Sequence, residues 1–321
     1  MIRDSMTSDP PPSASVNSPS VSKLFAPPVL GALRCPLCEG TFAVAGGSLR
    51  CGRGHSFDVA RQGYVNLLHA GVPAGTADTS AMVAARAAFL GAGHYAPLAH
   101  AVARAAALAD ARVPRSGGAS PDFPGRESRD PARPGLVLDA GAGTGYYLAA
   151  TLDALPDATG LALDLSAAAC RRAARAHPRG AAAVWNTWQP LPLASGCASV
   201  VLDVFAPRNG AEFRRVLRDD GVLVVVTPTP EHLAELASVT LDVDPEKERR
   251  LDEGLSRHFR RVDATDVRYP LALTSGEART LIEMGPTAHH LSPGALDALP
   301  ETVRVTVSCT VGVYRPRESS T

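Results

Sequence analysis

Two groups of residues in this chain have the types and spacing to do chemistry. The first is Cys35-Pro-Leu-Cys38 followed by Cys51-Gly-Arg-Gly-His55, a C-x2-C pair and a C-x3-H pair separated by 12 residues. Thiolate and imidazole suit zinc, which takes four such ligands in a tetrahedron. Pro36 and Leu37 favour the tight turn that aims two sulfurs at one point, and Gly52 and Gly54 serve the second knuckle. Four protein ligands leave the ion no open position, so the predicted zinc at Cys35, Cys38, Cys51 and His55 is structural. The alternative is two unrelated cysteine pairs in a reducing compartment.

The second group is Val137-Leu-Asp139-Ala-Gly141-Ala-Gly143-Thr144-Gly145. Glycines at this spacing let a strand turn sharply into a helix and bring backbone close to a ligand. A G-x-G-x-G loop fits NAD, FAD or S-adenosylmethionine. Asp139, two residues before the first glycine, suits the methyltransferase version. Asp164 ends the next apolar run about twenty residues on, where a carboxylate can take both ribose hydroxyls; it also fits a plain helix N-terminal acid. Asn186 follows a third apolar run and is placed to read an adenine amino group. Its neighbour Trp185 fits either adenine stacking or the core. Asp203-Val-Phe205-Ala-Pro207 ends a fourth run, where the acceptor lies in such sheets. Phe205 is the candidate for stacking on a base, and Asp203 the candidate general base.

These residues need elements to hold them. From Leu136 onward apolar runs and helical patterns alternate, with strands expected at 136–140, 161–164, 181–185, 199–205 and 222–227. Such alternation predicts an α/β fold with a mostly parallel, doubly wound sheet. Residues 271–284 read as a helix, and 303–313 as a long antiparallel strand closing the sheet. Before this, residues 1–30 read as a disordered Ser/Pro-rich tail, 31–70 as the zinc ribbon, and 71–135 as a helical connector and linker. The connector holds helices at 80–90, capped by Ser80 and stopped by Gly91, and at 95–112. Its linker occupies 116–134. The stretch 56–68 is expected to pack on the ribbon, and residues 136–321 to form the catalytic domain.

The 321 residues carry zero formal charge, so the whole chain lacks the basic footprint of a general nucleic-acid binder. Residues 31–115 hold eight basic and four acidic side chains, a local excess of four. Cys170, Cys197 and Cys309 read as buried apolar groups, and no disulfide framework is evident. No apolar run is long enough to span a membrane, and no signal-peptide core is present, so a cytoplasmic location is expected.

The zinc motif, then Phe57-Asp-Val-Ala-Arg-Gln-Gly-Tyr-Val-Asn-Leu-Leu68, then Ala84-Ala-Arg-Ala-Ala-Phe-Leu-Gly-Ala-Gly-His-Tyr95, closely resembles the bacterial 23S rRNA guanine-N1 methyltransferases of the RlmA type. The likeness continues through the glycine loop, Phe205-Ala-Pro207 and Thr227-Pro-Thr-Pro-Glu-His232, and reaches from residue 33 to the end. Val204–Asn209 and Phe57–Gln62 lie nearer the tylosin-resistance branch. The resemblance implies a class I (Rossmann-like) S-adenosylmethionine-dependent methyltransferase domain behind an N-terminal zinc ribbon. It implies Zn2+ on the four ligands above, and cofactor contacts from Tyr95, Gly143, Thr144 and His232, beside Asp139, Gly141, Gly145, Asp164 and Asn186. It also implies a 23S rRNA hairpin as substrate, no membrane, and a homodimer. Arg34, Arg50, Arg53 and Arg61 on the ribbon are the candidates for gripping that hairpin. Three other readings stay open at this point. They are a small-molecule methyltransferase with a structural ribbon, a non-catalytic rRNA- or protein-binding factor, and an NAD enzyme.

Overall fold

The computed structural model describes residues 25–70, 77–111, 135–237, 253–289, 294 and 296–317. The expected linker at 116–134 and most of the expected tail lie outside the described residues. The end of that stretch is a helix, α1 (Pro27–Ala32), started by two prolines and burying Val29 and Ala32. The expected tail boundary at residue 30 therefore falls inside an element.

Three short strands follow, β1 (Phe42–Ala45), β2 (Ser48–Cys51) and β3 (Ser56–Asp58), paired antiparallel in that order. Phe42 and Phe57 meet edge to face at 5.6 Å and give this ribbon its small core. The next strand, β4 (Tyr64–Asn66), leaves the ribbon. It pairs in parallel with residues 182–184, so the stretch expected to pack on the ribbon ends as an edge strand of the main sheet.

Helices α2 (Ser80–Gly91) and α3 (Ala96–Ala111) come next. The cap of α2 is Thr79, whose hydroxyl accepts from the Met82 N–H at 3.2 Å, and not Ser80. The helix runs through Gly91 to a cap at Ala92. The remaining elements are β5 (Leu136–Ala140), α4 (Tyr146–Ala154), β6 (Thr159–Asp164), α5 (Ala167–Ala173), β7 (Gly180–Val184), β8 (Ala198–Val204), α6 (Gly210–Val216), β9 (Leu217–Pro228), β10 (Phe259–Thr274), α7 (Ser275–Glu283) and β11 (Thr302–Pro316).

Eight strands form one sheet in the order β10-β11-β9-β8-β5-β6-β7-β4. Strands β4 to β9 run parallel, and β11 lies antiparallel between β9 and β10. The final strand is thus inserted in the sheet, and β10 takes the edge. β10 was invisible to hydrophobic periodicity because most of its side chains from Arg260 to Asp266 are exposed. The helix expected from Leu271 starts only at Ser275, where Thr274 and Glu277 form a capping box.

One face of the sheet packs against α3 and α4, through Leu98, Val102, Leu148 and Leu152. The other face packs against α1, α6 and the ribbon, so Leu49 and Phe57 share a core with Leu136, Leu161 and Phe213. Strand order reverses between β5 and β8, which opens a crevice at their carboxyl ends. Among the described residues no helix is long and apolar enough to cross a membrane.

Candidate functional site

The ribbon brings its four candidate ligands together. Their donor atoms all lie within 4.8 Å of one another. Cys38 Sγ and Cys51 Sγ are 3.6 Å apart, and His55 Nδ1 is 3.3 Å from Cys51 Sγ and 3.5 Å from Cys35 Sγ. A tetrahedron built on Zn–S and Zn–N bonds has edges of about 3.8 and 3.5 Å, so these side chains already hold the donor geometry of zinc. Burial pushes the Cys35 thiol up to about 11, a cost that a cation at this point reverses.

The four ribbon arginines divide. Arg34 turns back to donate to the carbonyls of Gly31 and Leu33, each at 2.8 Å, and so closes the end of α1 instead of facing outward. Arg50, Arg53 and Arg61 are exposed.

The second site is assembled at the carboxyl ends of β5, β6, β7 and β8. The loop after β5 folds with Gly141, Gly143 and Gly145 at φ of 80°, 54° and 78°, conformations that side-chain-bearing residues avoid. Gly141 has no room for a Cβ either, since one there would lie 2.6 Å from Ala206 Cβ, in the turn after β8. The Gly143 N–H donates to Asp164 Oδ2 at 2.8 Å, and the Ser166 N–H donates to Asp164 Oδ1 at 2.8 Å. Asp164 therefore ties the glycine loop to the end of β6. Thr144 is half-buried in the same loop.

Asp139 is 1% exposed, and its Oδ2 has no hydrogen-bond partner. Burial, then the nearby Asp164 carboxylate, pushes its pKa up to about 7. A buried carboxylate oxygen beside a glycine cradle fits a ligand that brings a cationic group. Asn186 sits at the end of β7, 6% exposed, with its side-chain oxygen accepting from the Trp188 N–H at 3.1 Å. Trp185 resolves to the core reading. It is 3% exposed on the ribbon side of the sheet, and its Nε1 donates to the Pro190 carbonyl at 3.1 Å.

Three rings gather at the mouth of the crevice. Phe205 is 45% exposed and holds a left-handed φ of 54°. Such backbone is costly for a bulky residue and concentrates at functional sites. Its ring stacks on His232, 5.8 Å away and tilted by 20°. Tyr95, buried against Phe89, lies 6.3 Å from His232 on another side. Burial pulls His232 down to about 4, so the ring is neutral at physiological pH. Its Nδ1 accepts from the Ser308 N–H at 3.2 Å, which leaves the proton on Nε2. Asp203 is wholly buried at the end of β8, two residues before Phe205.

One residue of this crevice escaped sequence reasoning. Arg86 of α2 forms a salt bridge with Asp78 and donates to the Met284 carbonyl at 2.8 Å. Its Nη1 lies 3.2 Å from where a Cβ on Gly143 would stand. An arginine inside an Ala-rich helix reads as surface charge, and no local pattern separates it from one.

The chain is similar to known proteins in both parts. The RlmA N-terminal zinc-ribbon family model matches residues 33–71. A protein of Micromonospora griseorubida, provisionally named a 23S rRNA (guanine-N(1)-)-methyltransferase, is 52% identical over 301 residues, covering 90% of this chain and 99% of that one. The 23S rRNA (guanine(748)-N(1))-methyltransferase of Streptomyces fradiae is 45% identical over 290 residues, covering 88% of this chain and 96% of that one. With identity at this level along nearly the whole length, the chain belongs to the 23S rRNA (guanine-N1) methyltransferase family.

Proposed function

We propose that the protein transfers the methyl group of S-adenosylmethionine to N1 of one guanine in a 23S rRNA hairpin. The guanine is the counterpart of the one that the name of the Streptomyces fradiae relative gives as 748. Methylation there would make the protein a macrolide-resistance determinant of the tylosin type. Within the molecule, the observation that carries the reading is the exposed, strained Phe205 stacked on a half-buried histidine, beside a glycine cradle. It offers an aromatic face to a flat base at the place where an acceptor must enter.

When bound, the cofactor would supply a sulfonium methyl: N1 gains the methyl as the S–CH3 bond breaks, the neutral thioether leaves, and the N1 proton passes to solvent or a nearby base. The protein's residues do the positioning. Asp164 takes the ribose hydroxyls and Asn186 reads the adenine edge. Gly141, Gly143, Thr144 and Gly145 line the methionyl end, with the Asp139 carboxylate toward its ammonium. Tyr95 and His232 would line the side of the pocket next to Phe205. N1 is occupied by pairing in a duplex, so the base must be in a loop or flipped out, and Phe205 stacks on it there. Rate enhancement rests mainly on holding the base in line with the methyl, with Asp203 the candidate to take up the N1 proton. The ribbon, held by zinc, grips the hairpin with Arg50, Arg53 and Arg61.

Primer extension across 23S rRNA tests this. RNA from cells expressing the protein should give one new reverse-transcription stop at a guanine, because N1 methylation blocks pairing. Purified zinc-loaded protein should incorporate labelled methyl into protein-free 23S rRNA. Label transfer to small molecules without RNA, or no stop at any guanine, would overturn the reading.

A further inference from the structure

We infer that Arg86 is the receptor for the carboxylate of the cofactor's methionyl group, and that in the free protein Asp78 stands in for that carboxylate. The inference rests on the cofactor assignment above and extends it to a residue outside the glycine loop.

Arg86 reaches from α2 onto Gly143, the glycine whose N–H also donates to Asp164. It is clamped from two sides. Met284, at the carboxyl end of α7, accepts one Nη2 bond at 2.8 Å, and Asp78 pairs with Nη1. The side chain is one-quarter exposed, so the pair is partly desolvated and its geometry counts. A guanidinium is a planar fork matched to a carboxylate, and it stays charged under all working conditions.

The ligand's chemistry matches this layout. A methionyl group carries an ammonium and a carboxylate on one carbon. The crevice presents a buried acid, Asp139, with a carboxylate oxygen that has no hydrogen-bond partner, and a cation, Arg86, against the same loop. A zwitterion can satisfy both at once. Asp78 precedes α2 on an extended stretch, so it can yield Arg86 to an incoming carboxylate without unwinding the helix.

Two ligands separate this role from a structural one. S-adenosylhomocysteine carries the amino-acid group, and 5′-deoxy-5′-methylthioadenosine keeps the adenosine and sulfur but lacks it. Calorimetric titration of Arg86→Gln should show S-adenosylhomocysteine binding weakened by about 30-fold or more, roughly the 2 kcal/mol of a charge-assisted bond. Methylthioadenosine binding should change by less than about threefold. Asp78→Ala should behave oppositely, keeping or tightening S-adenosylhomocysteine binding, because it removes the competing carboxylate. A purely structural Arg86–Asp78 pair would make the two variants lose both ligands alike, and that result overturns the inference. If Arg86→Gln does not fold, Asp78→Ala alone still decides, since loss of S-adenosylhomocysteine binding there contradicts a stand-in role. Wild-type protein that binds neither ligand would instead sink the cofactor assignment itself.

Discussion

The ribbon and the crevice solve the same problem, presenting fixed groups to a ligand, by opposite means. In the ribbon four side chains from two short turns converge within a 21-residue stretch, and a single ion would complete the structure. In the crevice the candidate groups come from the ends of β5, β6 and β7, the turn after β8, α2 and the 227–232 loop, and backbone conformation matters as much as side chains. The first is local and fails all at once. The second is distributed and should fail piecewise.

The largest test of that contrast is loss of the metal. Structural zinc supplies on the order of 10 kcal/mol of folding free energy to such modules. Cys51→Ser, or a strong chelator, should therefore unfold the ribbon and take rRNA methylation to background. S-adenosylhomocysteine binding should persist within about fivefold, because the crevice groups lie on other elements. Calorimetry on the metal-free protein checks this, and joint loss of both functions would break the comparison.

Next comes Asp139. Its free-protein pKa of about 7 lies above the 3.8 of an ordinary aspartate. The native state thus holds this proton more tightly than the unfolded chain, and this group's stabilising contribution is complete below about pH 4 and fades as pH rises through about 7. A cationic ligand favours the carboxylate, so cofactor affinity should climb between about pH 6 and 8. Asp139→Asn should flatten that pH profile and weaken S-adenosylhomocysteine binding by roughly 10-fold or more. The same variant should melt higher than wild type at pH 8 in the absence of ligand, by roughly 3 °C or more, because an uncompensated buried charge is gone. A wild-type affinity that does not change with pH would contradict this role.

A smaller and more selective effect is expected at Phe205. Stacking on an aromatic ring is worth about 1–3 kcal/mol per base, so Phe205→Ala should lower kcat/KM for rRNA by about 10- to 100-fold. Cofactor binding should stay within about twofold, since Phe205 lies on the acceptor side. Equal losses in both would move Phe205 into the cofactor pocket. The smallest effects belong to the ribbon surface. Arg50→Ala, Arg53→Ala and Arg61→Ala should each weaken rRNA binding a few-fold and reduce the salt slope by about one. Arg34→Ala, by contrast, should cost stability and leave that slope unchanged.

What the sequence revealed follows the same division. The zinc quartet was fully legible, because ligand types and spacing are the site. The glycine loop, Asp139 and Asp164 were legible too, since a strand, a sharp turn and a helix start are written in adjacent residues. Trp185 and Asp203 could not be placed from sequence, because burial depends on what packs across from a strand end. Tyr95 and His232 carried no local mark and came only through resemblance. Arg86 lies inside the 84–95 stretch that carries the resemblance, yet no role attached to it there, as its partners Asp78, Gly143 and Met284 are brought to it by folding. β10 hid for a related reason: a two-stranded extension at a sheet edge, paired along its whole length with β11, needs little apolar alternation.

The short strand β4 has a consequence for target choice. It carries the chain out of the ribbon and straight into the main sheet, where Tyr64, Val65 and Asn66 register with Ala182, Ala183 and Val184, and the Leu67 N–H donates to the Val184 carbonyl at 3.2 Å. The ribbon is therefore not a bead on a string. It is bolted to the strand whose end carries Asn186, and the span from its exposed arginines to Phe205 is fixed by hydrogen bonds. If the ribbon grips the hairpin as proposed, a hairpin held at one end would offer only the nucleotide that lies one set length away. On that reading the guanine would be selected as a ruler selects, by its distance along the RNA.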